Sequence, residues 1–325
     1  MLLKLILILV LFGSESVSQQ HISDPAALHA KHKAVFVEAL RAEDGLMSGK
    51  YGDIVVVDLD TKARYYVTND EFYDLEPSWS PDGKRIIFAS NRAGDQRTLD
   101  IKGISGPHDY YTFDINSIEL KKIQINGCEY GCSFVQWDSD STLMYISGKT
   151  LKRTSPYRSQ AGTLAKFQNV FAVLDFRVSA KAGYAAIAFM KDLENGIDET
   201  VVYDPRDSSL HHVADHAFSI GGWSIDGLKI LLARDSIVFQ YDVKRKALTR
   251  LFAISKPVNL RIGRSFYLRD GLILCEAVRS PVVDLGGSLT VFRRYQILTY
   301  NLKTKEIQYI ADDDLQKTGL ELYNK

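Results

Sequence analysis

The chain has 325 residues, 46% of them hydrophobic, which suffices for a sizeable core, while forty basic residues balance forty acidic ones. No basic block and no Lys/Arg stripe interleaved with aromatics occurs, so phosphate-driven nucleic-acid binding has no support. A Gly-rich phosphate loop followed by lysine and a His-Glu-X-X-His motif are also missing, so neither a cofactor nor a catalytic metal is expected.

The chain opens "MLLKLILILVLFGSESVSQQ", with one early lysine and an apolar run from Leu5 to Phe12. That run is shorter than the roughly 20 residues a bilayer-spanning helix needs. It reads as a secretory signal over residues 1–18, cleaved near Ser18, followed by a lead segment over 19–32 and one domain over 33–325. The mature protein is then exported, to the periplasm or the medium, with no membrane span left. No cysteine follows the small residues, which argues against a lipid anchor, and the lack of any Asn-X-Ser/Thr site leans towards a bacterial source.

Short apolar runs with strand alternation then follow in series. "AVFVEAL" starts at Ala34, "DIVVVDLDT" at Asp53 and "RYYVTN" at Arg64. "EPSWSPDGKRIIFASNR", Glu76 to Arg92, is a hairpin: Pro81 pre-sets the turn, Asp82 bonds its own backbone and Gly83 tolerates a positive φ. "DYYTFDINS" and "LKKIQI" come next, from Asp109 and Leu120.

In "NGCEYGC", Cys128 and Cys132 would stand about 13 Å apart on a straight strand, beyond disulfide reach. Gly127 and Gly131 allow the turn that a disulfide requires, and in an oxidising compartment the staple adds about 2 kcal/mol. Two free thiols remain the alternative. Cys275, in the strand-like "GLILCEA", is expected buried and inert.

Runs shaped like "RIIFASN" recur at Leu143, Ala185, Lys229 and Leu272, making six with Ala34 and Arg85. Looser copies of the preceding hairpin begin at Val135, Leu174, Gly221 and Ser265. A third strand follows each unit, the degenerate one lying within Leu151 to Tyr157. Four strands repeated six times at about 48 residues per unit is the period of a β-propeller blade. The expected fold is therefore all-β, a six-bladed propeller with four antiparallel strands per blade and no helix beyond a short turn in "DPAALHAKH". Trp79, Trp137 and Trp223 occupy equivalent positions, where a large ring fills the wedge between blades. Blade I lacks such an inner strand, so either residues near His29 or the terminal "GLELYNK" must supply it and close the ring.

The copy "PSWSPDGKRIIFASNR" resembles the WD-like repeat of the TolB-type six-bladed propellers, shared with the propeller domains of prolyl oligopeptidase relatives. The likeness spans Lys33 to Asp313. It implies an extracytoplasmic propeller that docks a protein or ligand. TolB carries a small domain before its propeller, for which the segment from Ser18 to Lys33 leaves no room.

A prolyl oligopeptidase activity would need a Gly-X-Ser-X-Gly elbow, which is missing; "GWSIDG" around Ser224 is the repeat's own turn. The histidine group His211, His212, Asp215 and His216 is metal-like in composition, but neighbouring strand residues face opposite sides. The alternative activity is a propeller-type polysaccharide lyase or hydrolase of the oligogalacturonate kind, for which His108, His211 and His216 are the candidates.

Loop lengths carry the partner reading. Connections between second and third strands are long in three blades: Arg41 to Gly52, Arg92 to His108 and Val278 to Arg294; in blade V only Asp235 and Ser236 intervene. Blades VI, I and II adjoin once the ring closes, so these loops share one sector. Arg92, Arg97, Lys102 and His108, with Lys50, Tyr51, Phe292, Arg293 and Arg294, give that sector the arginine and aromatic composition of interfaces. A protein or an acidic glycan is the expected partner, bound by a monomer without catalysis.

Overall fold

The computed structural model describes residues 23–39, 52–70, 72–92, 109–128, 131–156, 161–254, 260–269, 271–279, 282–284, 289–291, 294–311 and 316–324. Six four-stranded antiparallel sheets form a ring of blades around a central channel. The signal segment and residues Lys50, Tyr51, Arg97, Lys102, His108, Phe292 and Arg293 lie outside the described residues. So does the side chain of Arg294.

Blade II follows the hairpin: Asp74–Trp79 innermost, then Arg85–Ser90, Asp109–Asp114 and Glu119–Ile123 outermost. Blade III runs Ser133–Ser139, Thr142–Ser147, Thr150–Thr154 and Ala161–Lys166, and blade IV runs Ala172–Val178, Ala185–Asp192, Ile197–Asp204 and Ser209–Ala214. Blade V comprises Ser219–Trp223, Lys229–Arg234, Ile237–Asp242 and Ala247–Ala253. Blade VI comprises Leu260–Arg269, Leu272–Arg279, Arg294–Asn301 and Ile307–Ala311, with a small hairpin of Val282–Asp284 and Leu289–Val291 between its second and third strands. Each of the six recurrent apolar runs is a second strand. The degenerate third strand of blade III is Thr150–Thr154, overlapping the expected range of Leu151 to Tyr157. Its fourth, Ala161–Lys166, has no apolar alternation and is not legible as a strand.

Blade I closes the ring. Its inner strand is the C-terminal Gln316–Asn324, paired antiparallel with His32–Ala39, which continues to Gly52–Asp58 and Arg64–Tyr66. The segment near His29 is instead a single 3-10 turn, Pro25–His29, capped by the Asp24 side chain.

The Ser-X-Asp-Gly turn, Ser80–Gly83 and Ser224–Gly227, is built twice in the same way. Ser80 Oγ donates to Asp82 (2.6 Å) and accepts from the Arg85 amide (2.9 Å). Ser224 does the same with Asp226 and Lys229. Gly83 has φ +67°, and a Cβ there would stand 2.1 Å from the Tyr323 ring, so glycine is demanded by the backbone and by the closing strand together. Tyr323 also donates to the Asp82 carbonyl (3.0 Å) and packs on Trp79 at 5.7 Å.

Trp79 and Trp137 are buried between blades. A cation from the preceding blade covers each ring: Lys33 stands 4.8 Å from Trp79 and Arg85 stands 4.5 Å from Trp137. Trp223 is partly buried, stacks on Tyr184 and donates to the Arg177 carbonyl. Cys128 and Cys132 form a disulfide with their Cα atoms 5.3 Å apart, in a loop turned by the positive φ of Gly127 and Gly131. Cys275 is fully buried, and burial pushes its thiol up to about 12, which removes it as a nucleophile.

Deleting residues 316–325 should lower the melting temperature by several degrees in a calorimetric scan, because an open ring exposes two sheet edges. Gly83→Ala should cost about 1–3 kcal/mol in a denaturant titration, from left-handed strain and the displaced Tyr323 ring.

Candidate functional site

A propeller presents two faces. On the turn face lie the tight connections between first and second strands, including Ser80–Lys84 and Ser224–Leu228. On the loop face lie the connections between second and third strands. The channel joins the two.

Charged side chains from the inner strands, with Glu276 from the second strand of blade VI, meet inside the channel. Arg177 of blade IV pairs with Glu321 of the closing strand at 3.2 Å and donates to the Leu320 carbonyl. Arg264 of blade VI reaches Asp175 of blade IV at 3.1 Å, and Asp175 also accepts from the Ile220 amide of blade V (2.8 Å). Glu76 accepts from the Phe134 amide, and Glu276 accepts from the Leu320 amide. Four carboxylates thus face two guanidiniums. Burial pushes the Glu76, Glu276 and Glu321 carboxyls above their ordinary range. Burial lowers the Arg177 pKa. At Arg264, burial acts in the same direction but the surrounding carboxylates outweigh it. With the Ser78 hydroxyl of blade II donating to Glu321 and Glu76 bonded to Phe134 of blade III, these contacts reach all six blades.

This plug divides the channel into two vestibules. A cavity of about 280 Å³ towards the loop face is lined by Glu76, Asp175, Arg264 and Glu276. A larger one of about 510 Å³, open at the turn face, is lined by Arg177, Lys181, Trp223, Phe266, Arg269 and Glu321 among others.

Arg92 is held rather than free. Its guanidinium makes a bidentate contact to Asp74 (2.7 and 3.0 Å) and a further one to Asp70 (3.3 Å), against the rings of Phe72, Phe88 and Tyr111. It fixes the base of the blade II loop. Asp53 stands nearby at the start of the third strand of blade I. Burial, reinforced by the charges of Asp70, Asp74 and Glu38, raises its carboxyl to about 7.

The histidine group is divided by the strand. His211 meets Ser209, Asp204 and Lys246 of blade V, whereas His212 meets Glu199 of its own blade and His216 packs against Phe218. Asp204, Asp207 and His211 do approach one another within 4.8 Å. Arg206 already satisfies Asp204 through a bidentate contact that pulls its carboxyl down to about 2. These residues therefore form a salt-bridged strand end.

The loop face carries a feature that strand patterns do not reveal. Of the large apolar side chains exposed among the described residues, four gather at the loop-face end of blade IV: Phe171 (60% exposed), Leu174 (39%), Leu193 (59%) and Ile197 (50%). Pairing brings them together, since the Phe171 amide donates to Met190 and Asp192 pairs with Ile197 around the turn that holds Leu193. Asp192, Glu194 and Asp198 rim the cluster.

No family model matches the sequence, and no curated protein matches it. Solved structures do. TolB from Acinetobacter baumannii superposes with a TM-score of 0.58 at 14% identity, over 90% of this chain and 67% of that one. The structure described as TolB from Agrobacterium tumefaciens gives 0.56 at 9% identity, over 90% of this chain and 99% of that one. The hydrazine synthase of Kuenenia stuttgartiensis gives 0.58 at 12% identity, over 91% of this chain but only 48% of that one. The chain has the six-bladed β-propeller fold found in TolB proteins. Among the described residues no helix is long and apolar enough to cross a membrane.

Asp53 supplies a pH test. Its folded pKa of about 7 exceeds the ordinary 3.8, so the folded state incurs a penalty once the carboxyl ionises, and stability falls as pH rises from about 4 to about 7. Asp53→Asn should raise the melting temperature at pH 8 while leaving it unchanged at pH 3.5.

Proposed function

We propose that this chain is an exported, non-catalytic binding propeller that docks a protein partner on its loop face. The observation that carries the reading is the apolar cluster Phe171, Leu174, Leu193 and Ile197, exposed together at one end of one blade. Such clusters on an otherwise well-packed surface mark protein contacts.

The sector over blades VI, I and II complements it. Inter-blade packing places the inner strand of blade VI against the closing strand of blade I, and blade I against blade II, so the ends that anchor the three long loops adjoin. Arg97, Lys102, His108, Lys50, Tyr51, Phe292, Arg293 and Arg294 belong to those loops or their edges, with Arg92 anchoring the middle one. A basic sector on one side and an apolar patch with an acidic rim on the other match a folded protein better than a glycan, which has no counterpart for four exposed apolar side chains. The short apolar N-terminal run supports export. The fold shared with TolB structures supports a binding role, and the ion pairs and backbone hydrogen bonds that engage the channel's carboxylates and guanidiniums support a structural plug in place of a reactive centre.

The test compares two full-length baits, the wild type and Leu193→Asp/Ile197→Asp, against an envelope and medium extract of the native source. Both positions are exposed, so the variant should keep its melting temperature. The proposal expects at least one protein captured by the wild type to be lost from the variant. Identical capture by both baits would place the partner surface elsewhere.

A further inference from the structure

The turn-face vestibule has no part in the partner surface, yet it is built like a ligand site. Its origin lies in the repeat. Ser80, Ser179 and Ser224 each donate a backbone hydrogen bond across the first hairpin, to Arg85, Tyr184 and Lys229, which sets the three blades in register. In that register the two residues before the Trp position are Pro77 and Ser78 in blade II, Phe176 and Arg177 in blade IV, and Gly221 and Gly222 in blade V. A Cβ at Gly221 would stand 2.0 Å from the Ser265 carbonyl oxygen, and one at Gly222 would stand 2.5 Å from the Phe266 ring. Two bare glycines thus let the inner strand of blade V close onto blade VI. The two glycines themselves project no side chain, and the cavity of about 510 Å³ opens beside them. That volume falls in the range of small-molecule sites.

The cavity is cationic. Arg177 lies on its floor, with its side chain 5% exposed and its charge met by Glu321; its Nε–H is buried and has no acceptor among the described residues. Lys181 and Arg269 stand exposed at the rim, and neither has an ion-pair partner among the described residues. The same cavity is lined by apolar surface from Trp223, Phe266, whose ring lies 5.8 Å from the Arg177 guanidinium, and, at the lip, Ile225, which is 81% exposed. Exposed cations beside an aromatic surface match a carboxylate carried on a ring.

We propose that the turn-face end of the channel binds a small ring-bearing carboxylate, held by Lys181 and Arg269 with its body against Trp223. Glu321 keeps the Arg177 charge compensated when the site is empty, and the two rim cations supply the attraction that the ligand feels. The site lies on the face opposite the proposed protein surface, so either can fail without the other.

Calorimetric titration of the full chain at low salt tests this, with benzoate and D-glucuronate as probes and benzamide and D-glucose as their uncharged counterparts. Aromatic and sugar acids are the two sources of the same chemistry, and the stronger binder names the source. The proposal expects saturable binding of at least one acid, weakened at least tenfold in Lys181→Ala/Arg269→Ala and by raised salt, with neither neutral compound matching its acid. Ile225→Asp, which sets a fixed carboxylate at the lip of an exposed turn, should weaken binding likewise while the melting temperature stays constant. Absence of saturable binding by both acids, equal binding of a neutral counterpart, or undiminished binding by the rim variant would overturn it.

Discussion

Everything in this molecule depends on one strand pairing that joins the two ends of the chain. Gln316–Asn324 lies inside His32–Ala39, and through Tyr323 it also rests on the turn of blade II. A ring of sheets has no stable open form of the same packing, because the first and last blades would each expose an unpaired edge and an apolar face. The contact is specific as well as extensive. Lys33 is buried between the Trp79 and Tyr323 rings, donates to the Leu28 carbonyl, and is shifted down to about 8 by burial. One lysine thus joins the lead segment, the closing strand and blade II.

The channel network is the second consequence of closure. Arg177 and Glu321 come from positions far apart in the chain and pair only when the ring is complete. A buried ion pair is weak evidence for stability, since desolvation offsets most of the attraction. Its stronger effect here is geometric. It fixes where the inner strands sit, and so it sets the size of the two vestibules and keeps the loop ends in register.

Much of this was legible in the sequence. The six apolar runs, the Asp-Gly turns at Asp82 and Asp226 and the tryptophan spacing define the blades, because strand alternation and turn chemistry are local properties. The disulfide was legible for the same reason, in two cysteines flanked by turn-forming glycines. What stayed hidden depends on non-local contact. Ala161–Lys166 pairs as a strand without a patterned face, so backbone bonding and not burial defines it. Arg177, Glu276 and Glu321 each interrupt an apolar strand, "VLDFRV", "LILCEA" and "GLELY", and that anomaly was the only sign of the channel network; sequence alone could not show which of them meet. The blade IV apolar cluster is likewise scattered over Phe171 to Ile197 and gathers only through pairing. The double glycine at Gly221 opens a hairpin copy in the sequence, while its effect, a cavity, requires the neighbouring blade.

The central claim is that the chain's last strand belongs to the core of its first blade. Amide hydrogen exchange measures this directly, because exchange from a closed inner strand requires opening of the ring, whereas a loosely added tail frays on its own. The account predicts that the amides of residues 320–323 exchange as slowly as those of residues 34–37, and that both sets lose protection together as denaturant rises. Fast exchange of 320–323 under conditions where 34–37 remain protected would contradict it.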